Sequence, residues 1–515
     1  MLPPYANEPY PDFTQPGPAA AMRAALDLVA SQADQYYPLI IGGERITTDA
    51  TIVSANPVAP SRIVGRTGSA TPELADRAIR CAAATFDEWR AVPPVVRARI
   101  ILKAAAILRR RIYEFSAWLV VEVSKSWIEA YADAAEAVDF LELYAREMMR
   151  LAAPLPSTPS PGEENEVRYV PLGVGVVISP WNFPLAIMAG MTGAAAAAGN
   201  TVVVKPASQS PVVAAKFMEI LEEAGLPAGV VNFVPGPGSS VGDVLVDHPL
   251  TRFISFTGSR EVGVRIHERA AKVHRGQKWL KRTVLEMGGK DAIIVDETAD
   301  LDAAAAAVVA SAFGYQGQKC SACSRLIVVD DVHDALMARV LALAPRLTMG
   351  DPACQGIDLG AVVDPGAVRK IHEYIEIGRQ EGDLVYQSGV PDGDGQFVPI
   401  TIIDNVAPDA RIAQEEIFGP VLAVISAADF DHALEIANGT DYGLTGALFS
   451  GIRARLERAR ADFHVGNLYL NRKCTGALVD VQPFGGFNMS GTDSKAGGRD
   501  YLQLFMQGKS VAEKL

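Results

Sequence analysis

Residues 173–206 read GVGVVISPWNFPLAIMAGMTGAAAAAGNTVVVKP, and this stretch decides the fold class. Gly173–Ile178 is a short apolar run rich in valine, the signature of a strand buried on both faces. Pro184–Ala198 is long enough for a helix, and Gly199 and Asn200 stop it. Thr201–Pro206 repeats the strand signature. The alternation continues through a helix at Val212–Ala224, with Gly225 as its C′ residue, and strands at Val230–Val234 and Phe253–Thr257. A helix begins near Glu261, where Ser259 is placed to cap it. Strands separated by helices at this spacing predict a parallel, doubly wound sheet that binds ligands at the carboxyl ends of its strands.

A second alternating block runs from about 285 to 480, with elements at 292–296, 301–313, 326–330, 333–344, 368–380, 421–425 and 431–438. Upstream, Ala20–Gln32, 71–90, 97–118 and Ser126–Met149 carry helical apolar spacing. Leu39–Thr47 reads as a hairpin turning at Gly42 and Gly43. The proline-rich residues 1–20 are expected to form an extended arm. Residues 153–163 (APLPSTPSPGE) are a Pro/Ser-rich linker candidate. The apolar end of the Gly-rich tail 480–515 is expected to be a strand that pairs outside its own domain.

The bulk properties bound the function. A chain of 515 residues implies two to four domains. Apolar content of 49% with 21% charged residues is that of a globular protein with a large core. A net charge of −13 without a basic stripe argues against a nucleic-acid partner. Five scattered cysteines suggest a reducing compartment and no disulfide framework. The first twenty residues lack the apolar region of a signal peptide, and no apolar run approaches the ~20 residues of a membrane span. A soluble, cytoplasmic protein is expected. The seven histidines are scattered, so no metal site is expected.

Several stretches have the residue types that chemistry needs. Gly314–Arg325 (GYQGQKCSACSR) sets Cys320 in a polar turn between helix and strand, as a partly exposed nucleophile or a buried structural thiol. Its C-x-x-C spacing with Cys323 equally fits a redox pair. Asn182 emerges at a strand's carboxyl end, as a neutral donor for an oxyanion or a plain helix cap. Glu286, between an apolar run and Gly288-Gly289, is a general base with a raised pKa or a paired carboxylate. Lys205 reaches a ribose or phosphate, or is solvated. Phe256–Gly263 (FTGSREVG) joins strand to helix and can meet a phosphate or be an ordinary turn. Pro235–Gly242 (PGPGSSVG) is a looser match to a dinucleotide loop. Gln414–Pro420 and Gln482–Gly491, taken singly, read as packing.

Together and in order, WNFP, VVVKPAS, FTGS, LEMGGK, GQKCSACSR, EEIFGPV and PFGGF resemble the aldehyde dehydrogenase superfamily, over roughly residues 40–515. FGYQGQKCSACSR, FHVGNLYLNRKCTGALV and QPFGGFNMSGTDSKAGG are similar to its bacterial single-function members that oxidise L-glutamate γ-semialdehyde in proline breakdown. The resemblance implies an α/β fold: a Rossmann-type NAD domain (20–148 and 172–288), a catalytic α/β domain (289–487) and a small β oligomerisation element (149–171 and 488–515), behind an arm at 1–19. It implies a homodimer, with a hexamer as a trimer of dimers. Cys320 is then the nucleophile, Asn182 the oxyanion donor with the Cys320 N–H, and Glu286 the base. It implies Ser179, Pro180, Trp181, Lys205, Ser208, Gly258, Ser259, Glu416 and Phe418 for the cofactor, favouring FTGS over PGPGSSVG. Many strictly NAD-dependent members have Glu where this chain has Ser208, so NAD is expected with NADP tolerated. Ser321 and the N–H groups of Gly476 and Ala477 would hold the substrate carboxylate, and Phe183 and Phe484 would flank its chain. Lys319 and an acid on the 126–149 helix would meet its other charges. Glu129, Asp133 and Glu136 share one helical face, and Glu136 is the choice for the ammonium group. The alternatives are an enzyme for another short semialdehyde, a thiol redox protein and a non-catalytic binding protein.

Overall fold

The computed structural model describes residues 2–515. Its first sheet has seven strands. Arg282–Glu286, Thr251–Thr257, Val174–Ile178, Thr201–Lys205 and Val231–Phe233 lie side by side and parallel. The hairpin Leu39–Ile41/Glu44–Ile46 closes one edge antiparallel, turning through Gly42 and Gly43 at positive φ. Successive residues of the central strands feed different cores. Val177, Val202 and Val204 pack with the helices Pro94–Arg110, Trp127–Leu151, Ala186–Ala197 and Pro211–Ala224. Val174, Val176 and Val203 pack with Pro72–Ala91 on the other face. Burial on both faces is why these strands read as continuous apolar runs. Each buried valine contributes roughly 1.5–3 kcal/mol.

The second sheet also has seven strands: Asp383–Gln387, Thr401–Asp404, Val421–Ala427, Cys323–Val329, Asp291–Val295, Thr445–Phe449 and Asn467–Leu470. All are parallel except the outermost, Asp383–Gln387. The chain crosses from sheet to sheet through four residues. Glu286 ends the last strand of the first sheet, and Asp291 opens a central strand of the second. A third, antiparallel sheet joins Met506–Lys514, Glu163–Pro171 and Leu155–Pro156.

Local expectations shift in five places. The helix expected over 97–118 is two helices, Pro94–Arg110 and Ile112–Val123, because Arg111 leaves the helical region at φ −103° and ψ 16°. Residues 153–163 do not serve as a free linker, since Leu155–Pro156 pairs with Glu166 and Val167. The first helix starts at Pro16, inside the expected arm, and the fifth runs through Leu151. Of the tail from 488, only Met506–Lys514 joins the third sheet. Ser490–Thr492 lies instead beside Leu285–Met287, as an extra edge on the first sheet.

One buried carboxylate has no sequence signal. Glu122 accepts the Val212 and Val213 N–H groups, each at 2.8 Å, and the Ser54 hydroxyl. It thereby satisfies the opening turn of the helix Pro211–Ala224, whose first N–H groups have no intrahelical partner.

Candidate active site

The turn that carries Cys320 is strained. Tyr315, Gln316 and Gly317 stand consecutively at φ 53°, 55° and 67°. A non-glycine residue there costs about 1–3 kcal/mol and persists only where its surroundings impose it. At Gly317 a side chain would collide with the Gly419 carbonyl. The other two residues are held by the segment Val123–Lys125. The Tyr315 hydroxyl donates to the Val123 carbonyl at 3.1 Å, and the Gln316 amide to the Ser124 and Ala361 carbonyls at 3.1 and 2.8 Å.

Lys125 completes this clamp. Its ammonium pairs with Asp133 at 2.9 Å, and both side chains are wholly buried. It also lies 3.6 Å from the Phe183 ring centroid and 4.7 Å from that of Tyr315. The other Asp133 oxygen accepts the Ala186 N–H at 2.8 Å, fixing the helix that follows Asn182 and Phe183. Burial lowers the Lys125 pKa and raises that of Asp133. Removing one partner of such a pair strands a buried charge, at a cost of about 3–5 kcal/mol. Lys125→Met is therefore expected to lower unfolding stability by about 3 kcal/mol, measured by urea titration. Unchanged stability would remove the clamp from the account.

Two cavities meet at Cys320. The larger, about 650 Å³, opens at the carboxyl ends of the first sheet, at one of the positions where such sheets bind ligands. Ser179, Pro180, Trp181 and Asn182 line it from the first strand–helix turn, and Lys205 and Ser208 from the next. Gly258 and Ser259 follow, with Glu416 and Phe418 from the second sheet's side. The smaller cavity, about 160 Å³, is lined by Glu286, Lys319, Ser321, Gly476, Ala477, Phe183, Phe484 and Glu136. Among the described residues, only Cys320 and Thr257 line both.

The polar groups of the larger cavity fit a dinucleotide. Lys205 is buried, donates to the Pro206 and Gly236 carbonyls at 3.1 and 3.2 Å, and has a pKa lowered to about 8 by that burial. Ser259 caps the helix Arg260–Ala271, whose N-terminus faces the cavity. Among the described residues the Glu416 carboxylate accepts only the Gly289 N–H, at 3.1 Å, which leaves acceptor sites for a diol. A Cβ at Gly288 would collide with that carboxylate, so glycine is required there. Trp181 and Phe418 meet edge to face at 5.5 Å. The PGPGSSVG stretch, ranked below FTGS, also reaches this cavity through Gly238, Ser239 and Gly242.

Around Cys320 the charges are arranged asymmetrically. Burial first, then Asp291, Glu416 and Glu286, push its thiol well up, while the Ser321 N–H acts against them. The Asn182 amide donates to the Gln318 carbonyl at 3.1 Å, two residues before the cysteine. Glu286 accepts the Gly486 N–H at 3.3 Å, the Ser494 N–H at 3.4 Å and the Ser494 hydroxyl. Burial nevertheless raises its pKa to about 7. Cys323 is not a partner of Cys320. Its buried thiol donates to the Arg325 carbonyl at 3.4 Å and that of Cys474 to the Ser321 carbonyl at 3.5 Å, and both cysteines are free.

On the helix Trp127–Leu151 the three acids separate in role. Glu129 binds Lys319 at 2.6 Å, Asp133 binds Lys125, and Glu136 has no ion pair among the described residues. Glu136 faces the smaller cavity, with a pKa raised to about 8 chiefly by burial. Sequence reasoning passed over Thr257, Ser494 and Tyr10. Thr257 sat unremarked inside FTGS, Ser494 inside TDSK, and Tyr10 in an arm with no motif.

This constellation matches a known family. Residues 46–511 match the aldehyde dehydrogenase family, and the chain belongs to it. Among its relatives is the 1-pyrroline-5-carboxylate dehydrogenase of Geobacillus kaustophilus, 60% identical over 513 residues and 100% of both chains. A Thermus 1-pyrroline-5-carboxylate dehydrogenase with bound NAD superposes with a TM-score of 0.98 at 54% identity, covering 100% of each chain. Proline utilization A from Bdellovibrio bacteriovorus gives the same score at 44% identity, with 99% of this chain matching 53% of that one.

Proposed function

We propose that this chain oxidises L-glutamate γ-semialdehyde, the open form of Δ1-pyrroline-5-carboxylate, to L-glutamate with NAD, the second step of proline breakdown. One observation carries the reading: Cys320 stands where the two cavities meet, with Asn182 on one side and Glu286 on the other. The names of the full-length relatives point the same way.

The chemistry follows from those positions. The Cys320 sulfur attacks the aldehyde carbon, and its proton leaves to solvent. The Asn182 amide and the Cys320 N–H stabilise the resulting oxyanion. NAD, when bound in the larger cavity, supplies the acceptor for the hydride that leaves this carbon. The thioester left on Cys320 is then attacked by water, with Glu286 taking the water's proton. The products are the carboxylate, the reduced cofactor and two protons. Ser179, Pro180, Trp181, Lys205, Ser208, Gly258, Ser259, Glu416 and Phe418 are the groups that would hold the cofactor. Ser321 and the Gly476 and Ala477 N–H groups suit the substrate carboxylate, Phe183 and Phe484 its chain, and Glu136 its ammonium. Lys319 adds positive charge beside them, tempered by Glu129.

Steady-state NAD reduction with pyrroline-5-carboxylate tests the assignment. Equal efficiency on succinate semialdehyde and simple aliphatic aldehydes would sink it. Ser208 is exposed and brings no carboxylate against a 2′-phosphate. NADP is therefore expected to be turned over, at lower kcat/KM than NAD, and a complete lack of NADP turnover would overturn this reading of Ser208.

The third sheet is the reading for assembly. Along Met506–Lys514 nearly every residue is exposed, and Glu163–Pro171 buries none completely. A long, solvated sheet edge invites pairing with another chain. A homodimer, extended to a trimer of dimers, fits this surface, and light scattering of the purified protein tests it. No helix among the described residues is long and apolar enough to cross a membrane. A cytoplasmic location fits that, and fractionation of the source cells tests it.

A further inference from the structure

The N-terminal arm lies outside the stretch that matches the family, which begins at residue 46. It is nonetheless bound firmly across the substrate side. The Asn7 amide donates to Asp139 at 3.2 Å and to the Val479 carbonyl at 2.9 Å. The Glu8 N–H donates to the other Asp139 oxygen at 2.9 Å, and the Glu8 carboxylate pairs with Arg109 at 2.7 Å. Both oxygens of Asp139, which is 4% exposed, are thus committed to the arm. Phe13 packs edge-on against Trp127 at 5.4 Å and Tyr131 at 6.2 Å, and Tyr10 against Tyr131 at 6.5 Å.

Tyr10 is the arm residue that reaches the smaller cavity. It lines that cavity together with Glu136 and Asp139, and is itself 49% exposed, so it stands between the cavity and solvent. The Val479 carbonyl that Asn7 holds lies two residues beyond Ala477, in the loop offered to the substrate carboxylate. The arm therefore touches both the outer wall and the anchor loop of one small space. At about 160 Å³ that space is below the usual range for ligand pockets, so a displaced wall changes what fits.

We propose that Tyr10, held by the arm's bonds to Asp139 and Val479, is a specificity-determining residue that closes the outer end of the aldehyde cavity and limits substrate length. This rests on the reading of the smaller cavity as the aldehyde site. Without the ring, an unbranched aldehyde longer than the semialdehyde gains apolar room, and two or three methylenes in such a pocket are worth about tenfold or more.

The test measures kcat/KM for octanal and for pyrroline-5-carboxylate, with NAD saturating, in wild type, Tyr10→Ala and Tyr10→Phe. Tyr10→Ala is expected to raise the octanal-to-pyrroline ratio about tenfold, and Tyr10→Phe, which keeps the ring, to retain the wild-type ratio. An unchanged ratio in a Tyr10→Ala protein with wild-type melting behaviour would overturn the proposal. If Tyr10→Ala unfolds, Tyr10→Leu, which keeps apolar bulk but shortens the side chain, gives the same decision through the same ratio. Aldehyde oxidation that survives Cys320→Ala would instead overturn the underlying reading of the cavity, leaving the two failures distinguishable.

Discussion

Cys320→Ala is expected to leave no measurable NAD reduction with pyrroline-5-carboxylate, a loss of at least about 10⁴-fold on the scale set by removal of other enzymic nucleophiles. Without the sulfur no thiohemiacetal forms, so the aldehyde carbon has no route to hydride loss. Cys320→Ser is expected to do little better. Burial and the nearby Asp291, Glu416 and Glu286 already hold even a thiol in its protonated form, and a hydroxyl is far harder to ionise. The larger cavity does not depend on the sulfur, so NAD should still quench the fluorescence of Trp181, which lines it. Retained turnover in Cys320→Ala would move the chemistry elsewhere. Cys323→Ala is a contrasting control. Cys323 sits in the core against Cys474, so its loss should affect stability more than turnover.

The candidate site residues were legible because chemistry restricts residue type and strand ends restrict place. Asn182, Lys205, Gly258 and Glu286 follow or end parallel strands of one sheet, where ligands gather. The apolar strands before Asn182, Lys205 and Gly258 could be read directly, since burial on both faces removes polar alternation, whereas Arg282–Glu286, only partly buried at its start, was not. In the second sheet, Asp383–Gln387, Thr401–Asp404, Thr445–Phe449 and Asn467–Leu470 have no counterpart in the sequence reading. Each is short, and the third contains Gly446, which weakens any strand signal. The break at Arg111 was invisible because one residue out of the helical region hardly disturbs the apolar period on either side.

What holds the site was harder to see than what lines it. Tyr315 and Gln316 at positive φ follow no local preference, as neither is glycine. Their conformation is imposed from Val123–Lys125, almost two hundred residues earlier. The Lys125–Asp133 pair, the Glu122 cap and the Asp139 latch are likewise tertiary contacts between polar residues that a sequence reading would leave in water. The 126–149 face shows the same limit. Spacing placed its three acids together, but only packing shows that two are neutralised by lysines and that Glu136 is left toward the cavity.

Glu286→Gln should separate the two halves of the reaction. Cys320, Asn182 and the larger cavity are untouched, so hydride loss should proceed once per site. Hydrolysis of the thioester should fall about 10²–10⁴-fold, the usual contribution of a general base. Rapid mixing is then expected to give a burst of reduced cofactor equal to the number of active sites, followed by a slow steady rate. Intact-mass measurement during that phase should find the acyl group on Cys320. A variant with no burst and no acyl adduct would show that Glu286 acts before hydride loss. The wild-type pH profile carries the same information with a definite sign. Burial raises the Glu286 carboxyl to about 7, and only its ionised form accepts a proton. Turnover should therefore fall as pH drops through about 7. Ser494 donates to this carboxylate through both its N–H and its hydroxyl, and Lys495 favours the same charged form. Ser494→Ala removes one donor, destabilises the carboxylate and should move that acidic limb to higher pH. A limb that stays in place in Ser494→Ala, or that persists in Glu286→Gln, would assign the titration to another group.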